Sequence, residues 1–290
     1  MLDLIVYEKT LNGKWRTLLS AIETRLKELK KQFLTHIAKK AGEALEIAKS
    51  LTKDREATIV AVGGDGTLNE VMSGIENPET CTLGLIPAGT GNDFAGAAKI
   101  PLGLEALDLI VNGEPKYTDY IQFDDGKRSI NIAGMGIDVD ILQRVERRRG
   151  SKKSKYFRAL LSSLAHYRPI EILAQADDGE VVHYKSLIAC ICNGFQFGGG
   201  IPICPDAVID DNKLELLIAD CPPRWKIPAA LMKLMHGKML SLPITHRVSC
   251  KSARITSPAG SFYAQYDGEI KECESLTAHL VSQKLKMFRG

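Results

Sequence analysis

Two short glycine-rich segments hold the residue types best suited to chemistry: Gly63-Gly64-Asp65-Gly66-Thr67-Leu68-Asn69-Glu70 and Gly89-Thr90-Gly91-Asn92-Asp93. Each follows an apolar run of strand character, 57–62 and 83–86, and each opens a segment patterned as a helix. A helix N-terminus offers backbone N–H groups and the positive end of the helix dipole. Glycine lets the backbone approach a phosphate closely and adopt positive φ. Two such loops at neighbouring strand-to-helix turns predict one phosphate site built from two strand ends. Thr67 adds a hydroxyl. Asp65 is the unusual member, because a carboxylate beside phosphates repels them. It must bind a metal ion, take a proton from a nucleophile, or hold a donor in place. That tension points to phosphoryl transfer rather than passive anion capture.

A second pair of carboxylates stands at Asp267-Gly268-Glu269. On a strand, residues two apart share a face, and neighbouring carboxylates raise one another's pKa toward that of a useful base. Alone the triplet reads as a solvated turn; the two glycine loops reverse that reading. Other phosphate and hydrolase signatures are absent: no Gly-x4-Gly-Lys-Ser/Thr, no His-Glu-x-x-His, no Gly-x-Ser-x-Gly and no Gly-x-Gly-x-x-Gly.

The elements that must position these residues alternate in the first part of the chain. Residues 3–7 read as a strand. Trp15, Leu18, Leu19, Ile22, Leu26, Leu29 and Phe33 predict one helix, and 42–51 predicts another. Strand 57–62, a helix over 67–75, strand 83–86 and a helix from Asn92 follow, which implies a parallel sheet with covering helices. Past Tyr117 the segments become short and β-patterned: 120–123, 129–133, 170–174, 181–191, 214–219, 248–255 and 276–281. Turn signals separate them, and helical stretches at 152–166 and 224–239 interrupt. The fold class is α/β plus all-β. An α/β domain spans 1–118, with the tail from about 282 to 290 able to return to it, and a β-rich domain spans 119–281.

At 290 residues, 44% apolar and 25% charged, the chain has material for a sizeable core, and a net charge of +3 demands no nucleic acid. Seven cysteines are spaced diffusely with no Cys-x-x-Cys, and no signal peptide or apolar run of membrane-spanning length is visible. The expectation is a cytoplasmic protein with reduced thiols. Cys190 and Cys192 would share one strand face and pack in the core.

With those residues in view, the chain resembles the soluble lipid kinases: diacylglycerol kinases, sphingosine kinases and bacterial relatives. Besides the two glycine loops, Asn131-Ile-Ala-Gly134-Met-Gly136-Ile-Asp138 is similar to the family's segment near the lipid pocket. Pro205-Asp206-Ala207-Val208-Ile209-Asp210-Asp211-Asn212-Lys213-Leu214 resembles a turn that holds a structural magnesium ion, and Tyr266-Asp267-Gly268-Glu269 resembles its late acidic motif. The resemblance implies an NAD-kinase-like nucleotide domain, a β-sandwich-like lipid domain and a cleft between them. It implies ATP as donor, a lipid hydroxyl as acceptor, and Mg2+ both with ATP and as a structural ion. Glu269 would accept the lipid proton with Asp267 beside it, and Asp65 would organise metal and phosphates. Gly63 to Glu70, Gly89, Thr90 and Asn92 would bind nucleotide. Val208, Asp211 and Lys213 would hold the structural ion, and Asp93 and Asp138 would face substrate. Asn212 replaces a family glycine, and asparagine tolerates the left-handed conformation.

Two departures fall at the adenine and phosphate edge. The family's Asn-Pro opening is replaced by Glu8-Lys9, and a family threonine by Ala38. They leave a nucleotide- or lipid-binding pseudokinase as an alternative, beside an NAD kinase. The stretch 144–158 carries eight basic residues and one acidic residue, which suits peripheral contact with an anionic membrane or a solvated face. The segment 224–239 is amphipathic with a Met-rich side, read first as core and second as a membrane-touching face.

Overall fold

The computed structural model describes residues 1–146, 162–163 and 167–290. The basic cluster 147–158 and, apart from residues 162 and 163, the helix expected over 152–166 lie outside the described residues. In chain order the elements are β1 (Leu2–Tyr7), α1 (Leu18–Glu28), β2 (Phe33–Ala38), α2 (Glu43–Thr52), β3 (Ala57–Gly63), α3 (Asp65–Gly74), β4 (Cys81–Pro87), α4 (Asp93–Ala97), α5 (Glu105–Asn112) and β5 (Lys116–Phe123). Then come β6 (Arg128–Ser129), β7 (Ile132–Gly136), α6 (Ile137–Glu146), β8 (Ile170–Ala176), β9 (Val182–Cys192), β10 (Leu214–Asp220) and α7 (Ile227–Met235). The last elements are β11 (Thr245–Cys250), β12 (Ser252–Thr256), β13 (Phe262–Tyr266), β14 (Glu269–Cys273) and β15 (Ser275–Met287).

Strands β2, β1, β3 and β4 pair in parallel, in that order. Ile59, Val60, Ala61 and Val62 of β3 are all fully buried, because helices cover both faces of a parallel sheet. The β-rich part is antiparallel and has two apolar clusters. One gathers Ile121, Ile172, Ile191 and Ile255; the other gathers Ile137, Ile141, Cys190, Cys192, Ile227 and Leu231. Cys190 and Cys192 are fully buried, as expected of neighbours two apart on one strand, and all seven cysteines are free. This is the expected α/β domain joined to a β-sandwich-like one.

The join is covalent and hydrogen-bonded. Strand β15 pairs with β12 along its first part. A register shift between Val281 and Leu285 then lets Lys286 and Met287 pair in parallel with Thr82 and Leu83 of β4. Leu285 and Met287 sit fully buried in the core of the first sheet.

Three local expectations fail. The helix from Trp15 does not run to Phe33. It stops at Glu28, and Phe33 begins an edge strand of mixed burial. Lys30, at φ 52, turns the chain left-handed after the helix. Phe33 satisfied the helical spacing by coincidence. Residues 248–255 form two strands, not one, broken at Lys251. The segment 224–239 is helical only over Ile227–Met235, with 3-10 turns on either side.

Candidate active site

The first glycine loop is the junction of β3 and α3. Leu68 is the first residue of α3 whose N–H returns along the helix, to the Gly64 carbonyl at 3.1 Å. The N–H groups of Asp65, Gly66 and Thr67 therefore lie ahead of that ladder. The Gly63 carbonyl is taken from the other side, by the Ala88 N–H at 2.8 Å. The two loops touch directly: a Cβ on Gly89 would stand 2.4 Å from the Gly64 Cα, and one on Gly64 would stand 2.9 Å from the Gly89 Cα. None of Gly63, Gly64, Gly66, Gly89 and Gly91 has positive φ. The glycines serve contact, not left-handed turns. Gly66 differs, since a Cβ there meets nothing within 4 Å. Packing does not explain it, and a ligand against that face would.

Asn92 supplies the left-handed residue, at φ 56. Its side chain accepts from the Gly89 N–H at 2.9 Å and donates to the Gly89 carbonyl at 3.2 Å, which closes the second loop on itself. Asp65 crosses from the first loop to accept the Phe94 N–H of α4 at 3.2 Å. Of the three roles open to it, holding a donor in place is the one visible. The start of the short helix α4 is thus already capped by a carboxylate, so anion capacity concentrates at α3. Burial first, and then the Asp93 carboxylate, push Asp65 up to about 6. Asp93 is buried and accepts from the Gly199 and Gly200 N–H groups at 2.9 and 2.6 Å, fastening loop 198–200 of the β-rich part to the second glycine loop. Thr67 is buried in the first turn of α3, and Thr90 lies between Gly89 and Gly91. Leu68 is a core residue, 1% exposed.

The Asp267-Gly268-Glu269 triplet corrects the shared-face expectation. Asp267 (φ 49) and Gly268 (φ 94) are the two turn residues of the β13–β14 hairpin, with Tyr266 opposite Glu269. The turn sends the two carboxylates to different tasks. Asp267 accepts from Ser129 Oγ (2.6 Å), from the N–H groups of Ile130 (3.0 Å), Asn131 (3.2 Å) and Ile132 (2.9 Å), and from Asn69 Nδ2 (3.1 Å). Burial pushes its pKa up, against these donors. A carboxylate engaged by five donors is a clamp between α3, β6–β7 and the hairpin. Glu269 instead opens into a cleft lined by Asn69, Glu70, Lys127, Arg128, Tyr266 and Lys271. The cleft walls strip water from its carboxyl and raise its pKa, and Glu70 adds like charge. Glu70 also accepts the Ala44 N–H at 3.2 Å, at the start of α2. Asn69 and Glu70 stand about one helical turn, roughly 5 Å along the axis, from the phosphate loop.

Asp138 lies in the first turn of α6, 4% exposed, with no hydrogen-bond partner on either carboxylate oxygen among the described residues. The Gln265 amide nitrogen is likewise buried and unpaired. The Val139 and Asp138 backbone N–H groups, and then this nitrogen, lie near enough to favour the charged carboxylate without a formed bond. Burial pushes Asp138 up to about 6 from an ordinary 3.8. For a raised acid the stability contribution is present below the unfolded value and is lost as pH rises through about 6. At pH 8 the fold carries a buried unpaired charge, with a cost of about 3 kcal/mol as an upper figure. Asp138→Asn is therefore expected to raise the melting temperature at pH 8 by several degrees and to leave it unchanged near pH 4. A pH series of thermal melts checks this, and equal melting at pH 8 would contradict the charged assignment.

The turn 205–213 gathers carboxylates. Asn212, at φ 61, takes the left-handed position as its substitution for glycine required. Its N–H donates to buried Asp119 at 2.8 Å, while Asp211 accepts the Lys213 N–H at 3.1 Å. Asp210 pairs with the buried Arg289 guanidinium, which also donates to Thr118 Oγ1 and the Tyr117 carbonyl. Burial, then Asp211 and Asp210, raise Asp119. Among the described residues no three acidic, His or Cys side chains have metal-ligand geometry. An ion here would lean on the Val208 and Lys213 carbonyls beside Asp211, an oxygen set that suits Mg2+ and relieves the crowded carboxylates. Asp119, Gln265, Arg289 and the loop 198–200 escaped sequence reasoning. They are single residues far apart in the chain, and no motif marks them.

Comparison with known proteins identifies the family and the fold. Residues 2–123 match the family model described as diacylglycerol kinase catalytic domain, and residues 131–289 match the YegS C-terminal NAD kinase beta sandwich-like domain. A diacylglycerol kinase from Mycobacterium tuberculosis is 29% identical over 76% of this chain and 73% of its own length. A probable YegS-like lipid kinase from Yersinia enterocolitica is 35% identical over 62% of each chain. The crystal structure of a putative diacylglycerol kinase from Bacillus anthracis superposes with a TM-score of 0.79 at 22% identity, covering 100% of this chain and 96% of the other, which speaks to the fold alone.

Proposed function

We propose a specific phosphotransfer from one premise: this chain belongs to the diacylglycerol kinase and YegS-like lipid kinase family. The reaction is transfer of the γ-phosphoryl group of ATP to a hydroxyl of diacylglycerol or a closely related lipid. The observation that carries it is the contact of the two glycine loops at the start of α3, with the cleft that Glu269 faces lined by Asn69 and Glu70, about one turn further along that helix.

In this reading the ATP phosphates lie against the N–H groups of Asp65, Gly66 and Thr67, in the space that Gly66 leaves. Asn92 and Asp65 fix the second loop, so the backbone cradle exists before ATP arrives. Mg2+ bound with ATP offsets charge on the phosphate oxygens. Glu269, with its raised pKa and an open cleft, accepts the proton of the attacking lipid hydroxyl. Asp267 holds the hairpin so that Glu269 faces that cleft. Asp138, buried and unpaired beside Gln265, offers the acceptor that a polar lipid headgroup would satisfy.

The test is labelled ATP offered in parallel to diacylglycerol in detergent, a sphingoid base and NAD. Label in diacylglycerol is expected. Label in NAD alone, or nucleotide binding without turnover, would overturn the reading.

We assign the structural Mg2+ to the turn 205–213. An ion bound only by the folded state raises stability by mass action. Removing Mg2+ with chelator should lower the melting temperature of the wild type. Asp211→Ala should melt low in either condition. If both proteins respond alike to chelator, the ion is not held at Asp211.

A further inference from the structure

The helix α7 has two apolar faces, and only one is used by the core. Ile227, Ala230, Leu231 and Leu234 are buried against the cluster that includes Ile137 and Ile141 of α6. Away from that core, Met232 and Met235 of the helix are 55% exposed each, and Trp225, in the 3-10 turn that leads into it, is 77% exposed. Large side chains left this open keep most of their surface in water, while the same helix buries its other side. Arg224, Lys226, Lys233 and Lys238, close to them in the chain, are all exposed. None of these four is in an ion pair among the described residues, and the Lys226 ammonium lies 4.9 Å from the Trp225 ring centre. The charge asymmetry extends further. Residues 221–266 contain no Asp or Glu, against seven Lys and Arg.

We propose that the outer face of α7, with Trp225 at its leading edge, is the surface by which this protein docks on an anionic bilayer. The proposal rests on the lipid-kinase reading for its purpose, and on α7 with its flanking turns for its geometry. An apolar stripe ringed by unpaired cations is the pattern of a helix lying in the headgroup plane. Tryptophan favours that boundary, where its ring is half apolar and its N–H is wet. Unpaired cations complement anionic headgroups, each strengthening binding severalfold near such a surface. The position also fits. Helix α7 shares its inner core with α6, which carries Asp138, so both belong to one packed unit of the β-rich part.

The chain has two tryptophans, which makes the test direct. In a Trp15→Phe background, Trp225 is the remaining indole reporter. On titration with phosphatidylglycerol vesicles, without ATP, its emission is expected to shift to the blue and to be quenched by brominated acyl chains. Phosphatidylcholine vesicles should give little shift, and salt should reverse the binding. A Lys226→Ser, Lys233→Ser, Lys238→Ser variant should bind anionic vesicles about a hundredfold more weakly, and Trp225→Ala in the otherwise native chain about tenfold more weakly by sedimentation. Both variants should phosphorylate detergent-dispersed diacylglycerol at the native rate. The detergent assay therefore tests the kinase reading, and the ATP-free titration tests docking. Vesicle binding that leaves Trp225 emission unmoved would overturn the proposal, as would equal binding to neutral vesicles. A Trp225→Ala variant that loses self-association or partner binding while keeping vesicle affinity would also overturn it, by making α7 a protein interface.

Discussion

Glu269→Gln is expected to lower lipid phosphorylation by about 10²–10⁴-fold while ATP affinity stays near native. The amide keeps the size and the position at the start of β14 and removes the proton acceptor. The hairpin does not depend on this side chain. Its turn is set by the left-handed Asp267 and Gly268 and by the five donors on Asp267, so the variant should fold with a native melting temperature. The raised pKa of Glu269 adds a signature. The native rate should climb with pH as this carboxyl ionises, and that limb should vanish from the residual activity of the variant. Initial rates over a pH series with calorimetric ATP binding check both parts. Near-native turnover would remove Glu269 from the chemistry.

Gly64→Val is expected to weaken ATP binding by at least about a hundredfold, the scale of losing two or more charge-assisted hydrogen bonds. A Cβ at this position meets the Gly89 Cα at 2.9 Å, and both partners are backbone, so the loops must part. Because the Gly63 carbonyl bonds the Ala88 N–H, parting also strains the β3–β4 edge, and some loss of stability should accompany the loss of ATP. Gly66→Ala separates the two effects. It meets no protein atom within 4 Å and lies in the first turn of a helix, where alanine is the better helix former by up to about 1 kcal/mol. This variant should melt at or above the native temperature and still bind ATP more weakly, since its methyl occupies the space assigned to phosphate. Calorimetry and thermal melts on the pair decide it. Native ATP affinity in Gly66→Ala would move the phosphates elsewhere.

Much of the site was readable in the chain because its signals are local. Gly63 to Thr67 and Gly89 to Asp93 each sit within a few residues of a strand end and a helix start. Their types and order name the chemistry without any long-range contact. Alternation of apolar strands and amphipathic helices gave the parallel sheet for the same reason, since burial on both faces leaves continuous apolar runs such as that of β3. The left-handed Asn212 was also foreseeable from its residue type.

What the tertiary structure decided depends on residues far apart in sequence. That the glycines serve loop contact rather than positive φ is visible only when Gly64 and Gly89 stand together. The division between Asp267 as clamp and Glu269 as open acid follows from a two-residue hairpin, which places them on different sides although their spacing suggested one face. Asp65 showed three open roles in the sequence, and the Phe94 N–H, twenty-nine residues on, selects the visible one. Asp93 reaches loop 198–200, and Arg289 reaches Asp210, with no pattern in the chain to announce either. The two faces of α7 give the same lesson. Hydrophobic periodicity marks a helix with apolar residues, but only packing shows that one set is buried and the other faces water, because burial is a property of the neighbours and not of the residue.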